Sequence, residues 1–157
     1  MPYELFIERF GEFAWKETRS ILVFKDPKLA GDEFAFLELY CSDTNCDCRR
    51  VMFNVMSKNR QKVVAVIAYG WESAVFYAKW YRRNDPAIIR QMQGPILNPG
   101  SPQSELAPAL LEQVRDVLLA DPAYVARLKQ HYHLFKEKVD PKHFRPTPKA
   151  AAKRHRK

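Results

Sequence analysis

With 157 residues, 46% of them apolar and 13% aromatic, the chain has the composition of one ordinary domain with a packed core, which excludes a wholly disordered polymer. The net charge of +8 is unevenly distributed: residues 1–48 sum to −5, 49–83 to +7, 84–141 to −1 and 142–157 to +7, so there are two separate basic blocks. Glu4, Glu8, Glu12 and Glu17 interrupt the beginning of the chain and exclude an apolar signal region there. The longest central apolar run, Val63 to Tyr69, falls far short of the roughly 20 residues a membrane-spanning helix needs.

Taken in chain order, Leu5, Phe6, Phe10, Phe13 and Ala14 approximate helical spacing. Arg19 to Phe24 reads as a strand. After Asp26-Pro27 and Gly31, the aromatic run from Glu33 to Cys41 reads as a buried strand that ends at the first cysteine. Arg49 to Ser57 and Lys62 to Gly70 are β-branched stretches separated by the polar Lys58-Asn59-Arg60-Gln61, the pattern of an antiparallel hairpin. Ser73 is placed to cap a helix carrying Phe76, Tyr77, Trp80 and Tyr81, and Asn84-Asp85-Pro86 stops it. Asp85 then caps a second short helix ending near Gly94. The connector that follows is stiffened by Pro95, Pro99 and Pro102.

Ser104 and Glu105 are expected to open a helix running to about Ala120, with Leu110, Leu111, Val114, Val117 and Leu118 on one face. Asp121-Pro122 starts another, with Val125, Leu128, Tyr132 and Phe135, and the two read as a helical hairpin. The expected fold is therefore α+β: a small antiparallel sheet of three or four strands with a cysteine loop at one end, followed by a helical C-terminal half. Residues 1–140 are read as a single α+β domain. The stretch 141–157 holds no acid and three prolines, and is read as a disordered basic tail.

The three cysteines, Cys41, Cys46 and Cys48, fall within eight positions between two predicted strands. An odd number so tightly clustered argues against a disulfide framework and for reduced thiols or metal ligands in a reducing compartment, and a cytoplasmic location is expected. Thiolates bind zinc at about 2.3 Å, and a polar loop of this length can wrap its flanking cysteines round one ion. Asp43, a water, or His131 or His133 are the candidate fourth ligands, with His143 a weaker one. The competing reading is of reduced thiols that hold no metal.

The segments ELYCSDTNCDCRR, YGWES and PQSELAPALLE resemble a group of small bacterial proteins that share a cysteine loop followed by arginines, C-x4-C-x-C-R-R. The resemblance covers about residues 35–110 and implies no activity. The chain departs from the zinc-chelating tail motif of the bacterial preprotein translocase ATPase, which needs a second cysteine pair after its C-x-C.

Arg49, Arg50, Lys58, Arg60 and Lys62 on the hairpin, with Arg82 and Arg83 beside Tyr77, Trp80 and Tyr81, interleave cations with aromatics in the manner that suits single-stranded nucleic acid. Lys153, Arg154, Arg156 and Lys157 in the tail would attract phosphate backbones without needing a fold. Equally, an aromatic stripe at helical spacing serves a core, and loop charges are commonly only solvated. Glycines at 11, 31, 70, 94 and 100 supply neither a phosphate loop nor a dinucleotide fingerprint, and no H-E-x-x-H or G-x-S-x-G occurs, so no catalytic residue is assigned. The reading that follows is a zinc-stabilised binding or adaptor module contacting RNA, DNA or a ribonucleoprotein, with no membrane partner. A zinc enzyme with an open metal position and a protein-binding scaffold are the alternatives.

Overall fold

From Asp32 to Tyr40 every second side chain is buried, and the same alternation runs from Val51 to Ser57; this is the signature of strands with one face on a core. The computed structural model describes residues 2–145. It has one six-stranded sheet: β1 (Tyr3–Leu5), β2 (Arg19–Val23), β3 (Asp32–Cys41), β4 (Arg50–Ser57), β5 (Lys62–Gly70) and β6 (Ile96–Leu97). The spatial order is β1-β3-β4-β5-β6, with β2 also pairing β3, and every pairing is antiparallel. The helices are α1 (Phe6–Glu17), α2 (Ala74–Tyr81), α3 (Pro86–Gln93), α4 (Ala107–Gln113) and α5 (Pro122–Val139).

The buried face of β3 and β4 carries Phe34, Phe36, Tyr40, Val51, Phe53 and Val55, and Leu110, Val114, Leu118, Leu128, Tyr132 and Phe135 of the C-terminal half complete this core. Contacts run from α5 to β3, β4 and α1, and from α4 to β5 and β6, so both helices of the expected hairpin lie on the sheet. On the opposite face Ala35, Leu37, Leu39, Met52 and Met56 are half-buried, and Leu22 is 57% exposed.

The predicted caps are present. Ser73 accepts from the Phe76 N–H, Asp85 from Ala87 and Ile88, and Asp121 from Ala123, each satisfying donors that the first turn of a helix leaves open. Within α1, Gly11 interrupts the helical backbone at φ 51°, a left-handed conformation that glycine adopts without steric cost. A Cβ on Gly70 would stand 2.4 Å from both the Met92 carbonyl oxygen and the Tyr77 hydroxyl, so only glycine lets α2 and α3 approach the end of β5.

Three features differ from the sequence reading. The sheet gains β1 and β6, which are three and two residues long and too short to show a period. The helix expected from Ser104 begins at Ala107, because the Ser104 hydroxyl and carbonyl accept from Leu106 and Ala107 and form a turn ahead of it. It also does not continue as an α-helix to Ala120. Val114–Leu118 is π-helical, the wider turn being closed by the Leu119 N–H on the Val114 carbonyl at 2.9 Å. That widening leaves Val114 and Leu118 fully buried while Val117, expected on the same face, is 44% exposed. Beyond α5, residues 141–144 turn back, with Phe144 packed edge-on to Tyr132. The remainder of the expected basic tail, residues 146–157, lies outside the described residues.

Candidate metal centre

β3 ends at Cys41 and β4 begins at Arg50, so the eight residues between them must turn the chain while presenting Cys46 and Cys48. The turn uses Asn45 (φ 55°) and Arg49 (φ 51°) in the left-handed region; asparagine tolerates this conformation, whereas an arginine adopts it only when its surroundings hold it there. The Arg49 backbone is bound at both ends. Its N–H donates to the Tyr132 hydroxyl at 3.2 Å, and its carbonyl accepts from the Tyr77 hydroxyl at 2.9 Å and the Trp71 N–H at 3.3 Å. Its guanidinium pairs with Asp47 at 2.9 Å and Glu72 at 3.3 Å, and lies 4.5 Å from the centre of the Phe76 ring.

The other side of the loop is fixed by α5, through Tyr132 and Lys136 one turn apart, and by Asp140, the residue that caps its end. Tyr132 donates to Asp47 at 2.7 Å. Lys136 donates to the carbonyls of Cys41 and Asp43 at 2.9 and 3.0 Å, and Asp140 accepts from the Asn45 N–H at 2.5 Å. Burial would raise the Asp140 carboxyl, but the Asn45 N–H and His143 outweigh it and hold the group below the usual carboxylate range.

Held in this way, the three thiols converge. The Sγ atoms of Cys41 and Cys46 are 3.8 Å apart, and all three sulfurs lie within 4.8 Å of one another. Sulfurs at about 2.3 Å from one tetrahedral zinc stand about 3.8 Å apart, so the spacing fits a thiolate-bound ion. Cys41 and Cys48 are fully buried and Cys46 is half-buried. Hydrogen bonds from Cys46 and Cys48 pull the Cys41 thiol well below its ordinary value, with the Lys136 ammonium adding to the effect. Hydrogen bonds to Cys41 and Cys46, together with burial, push the Cys48 thiol far up. Sulfurs this close titrate as a coupled group, in which one thiol is favoured to ionise ahead of the others. A divalent metal would bring positive charge to such a cluster, and a donor set of soft sulfurs suits zinc-like ions.

Among the described residues this cluster consists of the three cysteines. Of the candidate fourth ligands, the Asp43 side chain is exposed, while its carbonyl accepts from Lys136 and its backbone N–H bonds the Cys41 thiol. His131 is buried elsewhere, with Nδ1 2.7 Å from Glu38 and its ring stacked 4.5 Å from that of Phe6. His133 is exposed on α5, and His143 holds Asp140 at 2.8 Å.

The basic residues divide into two groups at opposite ends of β4. Arg50 donates to the Met92 and Gln91 carbonyls and to the Tyr3 hydroxyl, and with Arg49 it braces the cysteine end. At the hairpin tip Lys58 pairs with Glu33 at 3.5 Å and Arg60 with Glu105, beside the exposed Lys62. Arg82 and Arg83 are exposed just after α2. Eight strand residues separate the two ends, about 25 Å. Lys153, Arg154, Arg156 and Lys157 lie outside the described residues. No helix among the described residues is long and apolar enough to cross a membrane.

The sequence reading singled out the three cysteines that converge and missed what holds them. Tyr132 and Lys136 do recur at i and i+4 on one helical face, with Asp140 at its cap, but nothing in that spacing ties them to a loop so distant in sequence. No protein-family model, curated protein or solved structure matches the chain.

Proposed function

We propose that this protein is a zinc-stabilised binding module in which the ion, held by Cys41, Cys46 and Cys48, ties the end of β3 to the start of β4. The convergence of three buried or half-buried sulfurs, one pair 3.8 Å apart, is the observation that carries this reading. Zinc is the natural occupant because it takes thiolates tetrahedrally and brings no redox chemistry. The setting suits a structural role: two of the three sulfurs are fully buried. A zinc enzyme would require an exchangeable fourth position beside Cys46, with a general base near it. The test is native mass spectrometry of protein purified without added metal, paired with melting in chelator. One bound zinc and a chelator-sensitive Tm support the reading; metal-free protein with a chelator-insensitive Tm removes it.

The partner we favour is a nucleic acid or ribonucleoprotein. The support is the charge of +8, the exposed Lys62, Arg82 and Arg83, and the basic segment that ends the chain. Arg49 and Arg50 enter this reading as braces for the cysteine end, and Lys58 and Arg60 as ion-paired groups at the hairpin tip. Binding should then be salt-dependent and weaken when Lys62, Arg82 and Arg83 are replaced by Glu, because each phosphate left without its cation takes about one unit off the log–log salt slope. Failure to bind single- or double-stranded nucleic acid at low salt would move the weight to a protein-binding scaffold. That second reading is favoured by the half-buried apolar face of Leu37, Leu39, Met52 and Met56 with the exposed Leu22.

A further inference from the structure

Lysine is almost never fully buried unless its ammonium is paired or bonded, yet Lys136 has no exposed surface. It sits on α5 between Tyr132 and Asp140, with its ammonium 6.0 Å from the centre of the Tyr132 ring and 5.5 Å from that of Phe144. Its two hydrogen bonds go to the carbonyls of Cys41 and Asp43, the backbone of the segment that must bend for Cys41 and Cys46 to meet. No carboxylate forms an ion pair with it among the described residues. Its ammonium is set instead against the backbone of Cys41, one of the three cysteines whose sulfurs converge.

A divalent ion bound by three thiolates carries one excess negative charge. In a buried setting that charge is costly, and one ammonium cancels it. We infer that Lys136 is the positioning residue of the metal centre, holding the Cys41–Asp43 backbone in its ligating bend and neutralising the excess charge of the thiolate-bound ion. This rests on the zinc reading above. It accounts for a cation in the core with no carboxylate partner, and for a helix that reaches the loop through Tyr132, Lys136 and Asp140 together.

The experiment compares cobalt and zinc binding by the full chain and by Lys136→Met and Lys136→Arg. The wild type is expected to take up one cobalt with intense sulfur-to-cobalt charge-transfer bands. Lys136→Met should bind zinc about 10- to 100-fold more weakly in chelator competition, the usual effect of losing a group that orients metal ligands. Its charge-transfer bands should also move to longer wavelength, because removing a positive charge raises the sulfur lone pairs. Lys136→Arg, which keeps the charge, should hold the bands near their wild-type position. A loop that was only structurally loosened would lose affinity without that band shift. Unchanged affinity and unchanged bands in Lys136→Met overturn the inference, whereas a wild type that binds neither metal sinks the zinc reading itself. Should Lys136→Met not fold, amine labelling of the wild type decides: Lys136 protected with metal and labelled after chelation supports the role, and equal labelling in both states overturns it.

Discussion

Tyr132 and Tyr124 stand eight residues apart on α5, both buried, and their hydroxyls differ in one respect. The Tyr132 hydroxyl donates to Asp47 at 2.7 Å and accepts from the Arg49 N–H at 3.2 Å, joining both ends of the Asp47–Arg49 turn to the helix. The Tyr124 hydroxyl is buried without a hydrogen-bond partner among the described residues, and the ring beneath it meets the Arg19 guanidinium at 5.5 Å. Tyr132→Phe should therefore leave the part-buried Arg49 N–H without its acceptor, while the half-exposed Asp47 carboxylate turns to water. Stranding a buried polar group costs about 1–3 kcal/mol. For a domain of this size that corresponds to a fall in Tm of about 3–10 °C. Tyr124→Phe removes a hydroxyl that was desolvated for nothing, so stability should stay the same or rise, and the contact between Arg19 and the ring survives. Urea and thermal unfolding of the two variants beside wild type, with and without chelator, is the assay. Part of the Tyr132→Phe loss should disappear in chelator, because the turn it braces then no longer carries a metal. Equal effects from the two substitutions would refute the claim that α5 braces the cysteine loop through that hydroxyl.

Leu128 is fully buried and Leu111 only half-buried, so Leu128→Ala should cost about 2–5 kcal/mol and Leu111→Ala clearly less; denaturant midpoints would show the order. Asp32 and Asp140 are both held below their ordinary values. Burial opposes this, but the Ser57 hydroxyl with the Asn59 and Glu33 N–H groups wins at Asp32, and the Asn45 N–H with His143 wins at Asp140. Because the folded values lie below the unfolded ones, both stabilise the fold above about pH 4, and the contribution is lost as pH falls through the lowered folded values. Unfolding free energies measured from pH 6 down to pH 2 should drop across that window, and Asp32→Asn should flatten the drop. Glu38→Ala leaves His131 buried without its 2.7 Å partner and leaves the Tyr40 hydroxyl only the Leu128 carbonyl, at 3.2 Å, as acceptor. Leaving a buried polar group without its partner costs about 1–3 kcal/mol, and a variant as stable as wild type would contradict the pairing.

Much of the sheet is legible because β3 and β4 alternate over their length and β5 is a continuous apolar run, and the caps at Ser73, Asp85 and Asp121 mark helix starts by local chemistry alone. β1 and β6 escape because pairing with a neighbour defines them, while their own patterns are too short to do so. The π-turn escapes because Val114, Val117 and Leu118 fit an ordinary helical face equally well. The three cysteines can be seen because they are close in sequence. Lys136 and Asp140 cannot, since each contacts the loop from about 95 residues away, and a lysine on a helix ordinarily reads as solvated. Arg49 shows the same limit from the other side. Its type reads as a phosphate ligand, whereas its left-handed backbone, bound N–H and carbonyl, and paired guanidinium make it a brace of the turn.

X-ray absorption at the zinc edge, on protein purified without added metal, tests the central claim most directly. A metal held by Cys41, Cys46 and Cys48 predicts a coordination sphere with three sulfurs at about 2.3 Å and one lighter scatterer at about 2.0–2.2 Å, and the loss of one sulfur in Cys48→Ser. A sphere made of nitrogen and oxygen alone, or protein that retains no zinc, would contradict it.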